Sequence, residues 1–115
     1  MCAPNHWPPE IDIAEFFASS SGTLVATANT HWDSSGHQQN GPVTYGAQPH
    51  ELEYHTYGLL WSSTYLQVFF DGRAGPKITN GIPNESMYFI YNLGLHKGFT
   101  PIASMMKIDY LRVWK

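Results

Sequence analysis

The chain predicts an all-β fold, an antiparallel β-sandwich. Two observations carry that expectation. Short runs rich in Ile, Val, Phe, Tyr and Thr are separated by clusters of Gly, Pro, Ser and Asn, and no run sustains a helical period. The regular spacing of these runs points to a sandwich rather than to βαβ units. Bulk composition agrees: with 115 residues, 43% hydrophobic and 15% aromatic, the chain can bury one real core as a single domain over residues 1–115. Charged residues are only 13% of the chain, about half the usual ~25%. Its six Lys and Arg are scattered singly and the net charge is −3. That pattern excludes nucleic acid and an anionic membrane surface as expected partners. No apolar run approaches the ~18 residues of a membrane span.

Strands are expected near 10–17, 23–32, 53–61, 65–71, 87–94 and 106–114. In the first, Ile11 and Ile13 alternate with Glu10 and Asp12, giving a buried face and an acidic one. Strict alternation puts Glu15 on the isoleucine face, where a lone carboxylate is costly. A β-bulge near Ile13 or Ala14 returns Glu15 to the acidic face. Ser19 to Gly22 form the turn into the second strand. A turn centred near residues 20 and 21 places Glu10 opposite His31 and Asp12 opposite Asn29. Thr27, Asn29 and His31 then share the acidic face, while Leu24, Ala26 and Ala28 share the other. Residues 33–48, with three glycines and His37-Gln38-Gln39, read as a long surface loop. Asp71-Gly72 after the apolar run Leu66 to Phe70 signals a hairpin.

Two carboxylates flanking a bond are what glycoside hydrolysis requires, about 5–5.5 Å apart for retention of configuration. Across one bulge, Glu10 and Glu15 stand four strand steps apart, on the order of 13 Å between Cα atoms. Side chains leaning toward each other over Asp12 close that gap. Crowded like charges raise one carboxyl pKa, so one group can be ionised while another keeps its proton. Solvated carboxylates on an outer sheet face are the plainer alternative for an E-x-D-x-x-E spacing taken alone.

The flanks decide between them. The segment WPPEIDIAEFF at 7–17 resembles the active-site strand of glycoside hydrolase family 16 in its bulged form E-x-D-x-x-E. That form is typical of laminarinase-like β-1,3-glucanases, agarases and carrageenases, whereas E-x-D-x-E belongs to lichenases and plant xyloglucan enzymes. Thr30-His31-Trp32 resembles the family's His-Trp step. Tyr54-His55-Thr56-Tyr57-Gly58 with Trp61 resembles its F-H-x-Y-x-x-x-W strand, and Phe69-Phe70-Asp71-Gly72 its Y-V-D-G hairpin. Met87-Tyr88-Phe89-Ile90 with Asn92-Leu93 resembles M-Y-L-I-x-N-L, and Ile108 to Trp114 the closing V-D-Y-V-R-V-Y/W strand. The order matches and spans nearly the whole chain.

The resemblance implies a jelly-roll sandwich of the concanavalin A-like lectin and glucanase type, with a concave sugar-binding sheet. It implies Glu10 as nucleophile, Glu15 as general acid/base and Asp12 as the group that orients and tunes them. The implied reaction is endo-hydrolysis of a β-linked polysaccharide with retention, foremost β-1,3-glucan, with agar, carrageenan or mixed-linkage glucan as alternatives. A full domain of this family is roughly twice as long, so the chain is expected to be its C-terminal portion, incomplete at the N-terminus. An inactive or purely carbohydrate-binding remnant is the competing expectation. Exposed strand edges would then favour dimerisation. The loop Gly94 to Phe99 also departs from the family's Gly-Gly and tryptophan-bearing loop.

Substrate-contact candidates are Trp7 and Trp32 as stacking platforms, with Asn29 and His31 beside the acids; core packing is the alternative for both tryptophans. His55 and Trp61 are expected in core or support roles, and Trp114 in the core. The six histidines show no paired ligand spacing, so no metal site or cofactor is expected. Asp109 matches an aspartate through which many family members hold calcium, but ligands from the missing half would be absent. Cys2 is alone and forms no internal disulfide. The resemblance implies secretion, although residues 1–9 lack the basic start and apolar run of a signal peptide.

Overall fold

The computed structural model describes residues 1–18, 24–48, 53–94 and 105–115. Its strands are β1 (Glu10–Ala18), β2 (Leu24–Asp33), β3 (His37–Gln39), β4 (Val43–Gln48), β5 (Tyr57–Trp61), β6 (Leu66–Phe70) and β7 (Arg73–Ile78). All pairings between them are antiparallel. β2 is the spine of the first sheet. β1 lies along one side of it, and β3 and β4 share the other, β3 at its C-terminal end and β4 at its N-terminal end. The second sheet runs β5-β6-β7.

The two sheets meet over a core of Ile11, Ala28, Leu66, Val68 and Ile78. Burying each Ile, Leu or Val side chain there contributes roughly 1.5–3 kcal/mol. Alternation along β2 sends Ala26, Ala28 and Thr30 inward, all three with essentially no exposure. The buried Thr30 hydroxyl is satisfied by donating to the Asn80 carbonyl at 3.0 Å. β1 follows the same logic, with Ile11 buried and Ile13 packed against the cluster. The acidic face of this hairpin is therefore held outward by the packing of its other face.

Asp71 and Gly72 both have positive φ, 48° and 76°, and join Phe70 to Arg73 in a two-residue type I′ turn. Asp71 also accepts hydrogen bonds from the Thr56 amide at 2.9 Å and from His55 Nδ1 at 2.8 Å. His55 stacks on Phe70, which gives it the support role expected of it. β7 carries Gly75-Pro76 as a bulge opposite Val68. Proline lacks a donor, so it survives in a strand only at an edge or bulge. The Gln67 side chain donates to the Gly75 carbonyl and, at 3.4 Å, to that of Pro76.

Four sequence expectations need correction. The supposed loop at 33–48 holds β3 and β4; its glycines mark turns and a bulge within paired strands. β7 was not expected because Gly75-Pro76 interrupts its pattern. Residues 87–94 form no strand; Tyr88 makes one bridge to Cys2. Residues 106–114 likewise pair with no strand among the described residues, and Trp114 is 79% exposed rather than in the core. Strand-prone sequence becomes strand only where a partner supplies hydrogen bonds and cover. Tyr88, Ile90, Leu93, Ile108, Tyr110 and Val113 are accordingly exposed. The turn expected at Ser19–Gly22 lies outside the described residues, as does most of the Gly94–Phe99 loop.

Candidate active site

β1 and β2 pair Glu10 with His31, Asp12 with Asn29 and Glu15 with Thr27. The register jumps between Asp12 and Glu15, so Ile13 and Ala14 together stand against Ala28. This is the bulge required by the sequence, and the expected cross-strand partners are the ones found. Glu10, Asp12 and Glu15 consequently oppose alternate residues of β2 and occupy one face.

Glu10 is gripped at both oxygens. The Trp7 indole donates to Oε2 at 2.5 Å and the Cys2 thiol to Oε1 at 3.4 Å. Burial, then the nearby Glu10 carboxylate, pushes the Cys2 thiol above its ordinary value, so it remains a donor. Cys2 is carried there by residues 1–3, which hydrogen-bond to β1 on one side and to Tyr88 on the other.

Asp12 lies between the glutamates and is largely buried. Burial first, then the charges of Glu15 and Glu10, raise its pKa from 3.8 to about 6; His31 opposes the rise. His31 Nε2 lies 3.0 Å from Asp12 Oδ2 and 3.1 Å from Asn29 Nδ2. The Asn29 amide is oriented by its Oδ1, which accepts from the Thr30 backbone N–H at 2.9 Å. His31 Nδ1 in turn faces His37 Nε2 at 2.9 Å, with the two rings stacked 5.1 Å apart. The Asn29 amide nitrogen can only donate, so His31 Nε2 is the acceptor in its contact with Asn29; the line is satisfied when protonated Asp12 also donates to Nε2 and His31 Nδ1–H donates to His37 Nε2.

Trp7 meets His37 at 4.8 Å with the rings tilted by 38°, closing a ring of contacts from Glu10 through Trp7, His37 and His31 to Asp12. The indole remains 54% exposed, leaving a face for a ligand. His37 was not a sequence candidate. The missed signal was the Ser34-Ser35-Gly36 turn: once it joins β2 to β3, two histidines six residues apart fall on one face.

Trp32 is not brought to the acids. It alternates with His31 and lies against Gly81, whose positive φ of 63° and missing Cβ make room for the indole. Beyond the start of β1, Trp32 and Trp7 both line a cavity of about 480 Å³ shared with Pro8, Asp33, Ile82 and Glu85.

One oxygen or nitrogen from each of Glu10, Asp12 and His31 lies within 4.8 Å of the others. The hydrogen bonds from Trp7 and Cys2 and the His31–Asp12 contact account for that spacing. Asp109 is exposed and belongs to no cluster of three or more acidic, His or Cys ligands among the described residues.

The family model for glycosyl hydrolases family 16 matches residues 1–110. The chain is 29% identical over 119 residues to the endo-1,3-1,4-beta-glycanase ExsH of Rhizobium meliloti (strain 1021), covering 97% of this chain and 25% of that protein. It is 27% identical over 116 residues to EglC, an endo-1,3-1,4-beta-glycanase of the same organism, covering 94% and 24%. It is 30% identical over 132 residues to glucan endo-1,3-beta-glucosidase A1 of Niallia circulans, covering 92% and 19%. The chain thus spans a quarter or less of the length of these relatives. No solved structure matches it.

Proposed function

Because the chain belongs to glycosyl hydrolase family 16, we propose that it carries the catalytic strand of a retaining endo-β-glucanase acting on glucans that contain β-1,3 bonds. The observation that supports this most is the bulged register, which puts three carboxylates on one face over a packed core. Glu10, oriented by Trp7 and Cys2, is the nucleophile. It attacks the anomeric carbon and forms a glycosyl ester while Glu15 gives its proton to the departing glycosidic oxygen. Glu15, now ionised, then takes a proton from water, which displaces Glu10 and releases the sugar with its configuration retained. Asp12 orients and tunes the pair, its raised proton affinity set by burial between the two glutamates.

Trp7, Asn29 and His31 border the reacting sugar in this reading. The cavity between Trp7 and Trp32 takes a neighbouring sugar unit, with apolar walls for its C–H faces and Asp33 and Glu85 for its hydroxyls. The relatives, two endo-1,3-1,4-beta-glycanases and one glucan endo-1,3-beta-glucosidase, favour a β-1,3-containing glucan over agar or carrageenan.

A second reading is a carbohydrate-binding piece without turnover. The exposed apolar rows at 88–93 and 108–114 favour it, because a sandwich with uncovered faces is less able to hold a cleft rigid. Release of reducing ends from laminarin and from mixed-linkage glucan separates the two. Turnover that falls on the order of 10⁴-fold in Glu10→Gln supports the enzyme. Retention on insoluble glucan with no turnover supports the binding piece.

A further inference from the structure

The β1 bulge leaves a backbone group to be satisfied. An inserted residue loses its ladder partners, and a buried carbonyl without one costs about 1–3 kcal/mol. The Ile13 carbonyl, inside the bulge, accepts a hydrogen bond from the Tyr45 hydroxyl at 2.5 Å. Tyr45 belongs to β4, two strands away, with β2 in between. Its side chain packs against the core cluster, on the side where β2 presents only Ala26 and Ala28 over this stretch.

Two local features place it there. β4 is itself bulged: Gly46 pairs with Ala26 and Thr44 with Thr27, so Tyr45 is the extra residue. Gly75 of β7 also stands close, where a Cβ would come within 2.7 Å of the Tyr45 Cβ. The ring meets Tyr57 edge-on at 6.4 Å. Burial raises the phenol well above its ordinary value, so the hydroxyl keeps its proton.

We propose that Tyr45 is a positioning residue that locks the β1 bulge and thereby fixes Glu15 on the face of Glu10 and Asp12. Without the bulge, regular pairing would set Ala14 opposite Thr27 and Glu15 opposite Ala26, turning the carboxylate toward the core side. Phe16, just past the bulge, meets Tyr57 edge-on at 5.3 Å. Gln67 satisfies the bulge of β7 in an equivalent way, and no carboxylate depends on that one. The catalytic consequence of the lock rests on the proposed role of Glu15 as acid/base, whereas the lock itself does not.

Tyr45→Phe keeps the ring and removes the hydroxyl. The expected result is a second register in cross-strand nuclear Overhauser contacts, with Glu15 opposite Ala26. A fall in kcat of about 10- to 100-fold accompanies it, with KM changed less than about twofold. Retention of Glu15 opposite Thr27 as the single register overturns the proposal, whatever kcat does. If the unaltered chain hydrolyses no glucan, the enzymatic reading fails, yet the register in the variant still decides the role of Tyr45. Should the variant not fold, the unaltered chain labelled with ¹³C at the Ile13 carbonyl decides: a stretching band lowered by hydrogen bonding is expected, and a free-carbonyl band contradicts the lock.

Discussion

Asp12 and Asp71 are the same side chain in opposite settings. Asp71 sits in the β6–β7 turn, where the Thr56 amide, then His55, hold its carboxyl below the ordinary carboxylate range. Asp12 sits in the β1–β2 hairpin, where burial and two neighbouring glutamates push it up to about 6. One position is built to welcome a negative charge and fastens a turn. The other makes the charge costly and keeps a proton within reach. Structural ion pairs settle a charge, while sites that move protons tolerate tension. The two hairpins repeat the contrast in their backbones: both are bulged, but only one bulge aims a carboxylate.

Of the substitutions that separate these two aspartate settings, the largest effect is expected from Asp12→Asn, which removes the tuning charge without changing shape. Turnover should fall by about 10²-fold. Stability should also respond to pH in a defined direction. The folded carboxyl of Asp12 binds its proton more tightly than the unfolded one, so its stabilising contribution is complete below 3.8 and is lost as pH rises through about 6. Urea midpoints measured from pH 4 to 7 should therefore decline less in the variant than in the unaltered chain. Asp71 has the opposite sign: its contribution is present above 3.8 and fades as pH falls through its lowered folded value.

A smaller effect is expected from Gln67→Leu, which leaves the Gly75 carbonyl of the β7 bulge without its side-chain donor. Loss of about 1–3 kcal/mol in chemical denaturation is expected, with kcat unchanged for the molecules that remain folded. A drop in kcat at full folding would tie the second sheet to the chemistry and erase the contrast. Smallest is Gly72→Ala, which puts a side chain at a φ of 76° in the type I′ turn. It should cost about 1–2 kcal/mol, read as a lowered melting temperature with no change in the pH profile of turnover.

The acidic hairpin was legible from the sequence because its information is local. Alternating Ile and acid fixed the faces, and the misfit of Glu15 demanded the bulge. Asp71-Gly72 was legible for the same reason, since few dipeptides accept two positive φ angles. Tyr45 and His37 were not, because both lie in residues 33–48, whose glycines and polar residues resemble a loop. Their roles depend on β3 and β4 pairing with β2, and glycine-interrupted runs of three and six residues give little sign of that. Residues 87–94 and 106–114 mislead in the opposite way, since their strand-like composition promises pairing that the described residues do not supply. Alternation reports a residue's face, whereas only a partner strand turns that face into an interior.

Covalent capture would show whether Glu10 is the proposed nucleophile of a retaining glucanase. A 2-deoxy-2-fluoro-glucosyl or -laminaribiosyl donor with a good leaving group should load the enzyme, and peptide mapping should find the adduct on Glu10. An adduct on Asp12 or Glu15, or glucan hydrolysis that inverts configuration and leaves no adduct, would contradict the account.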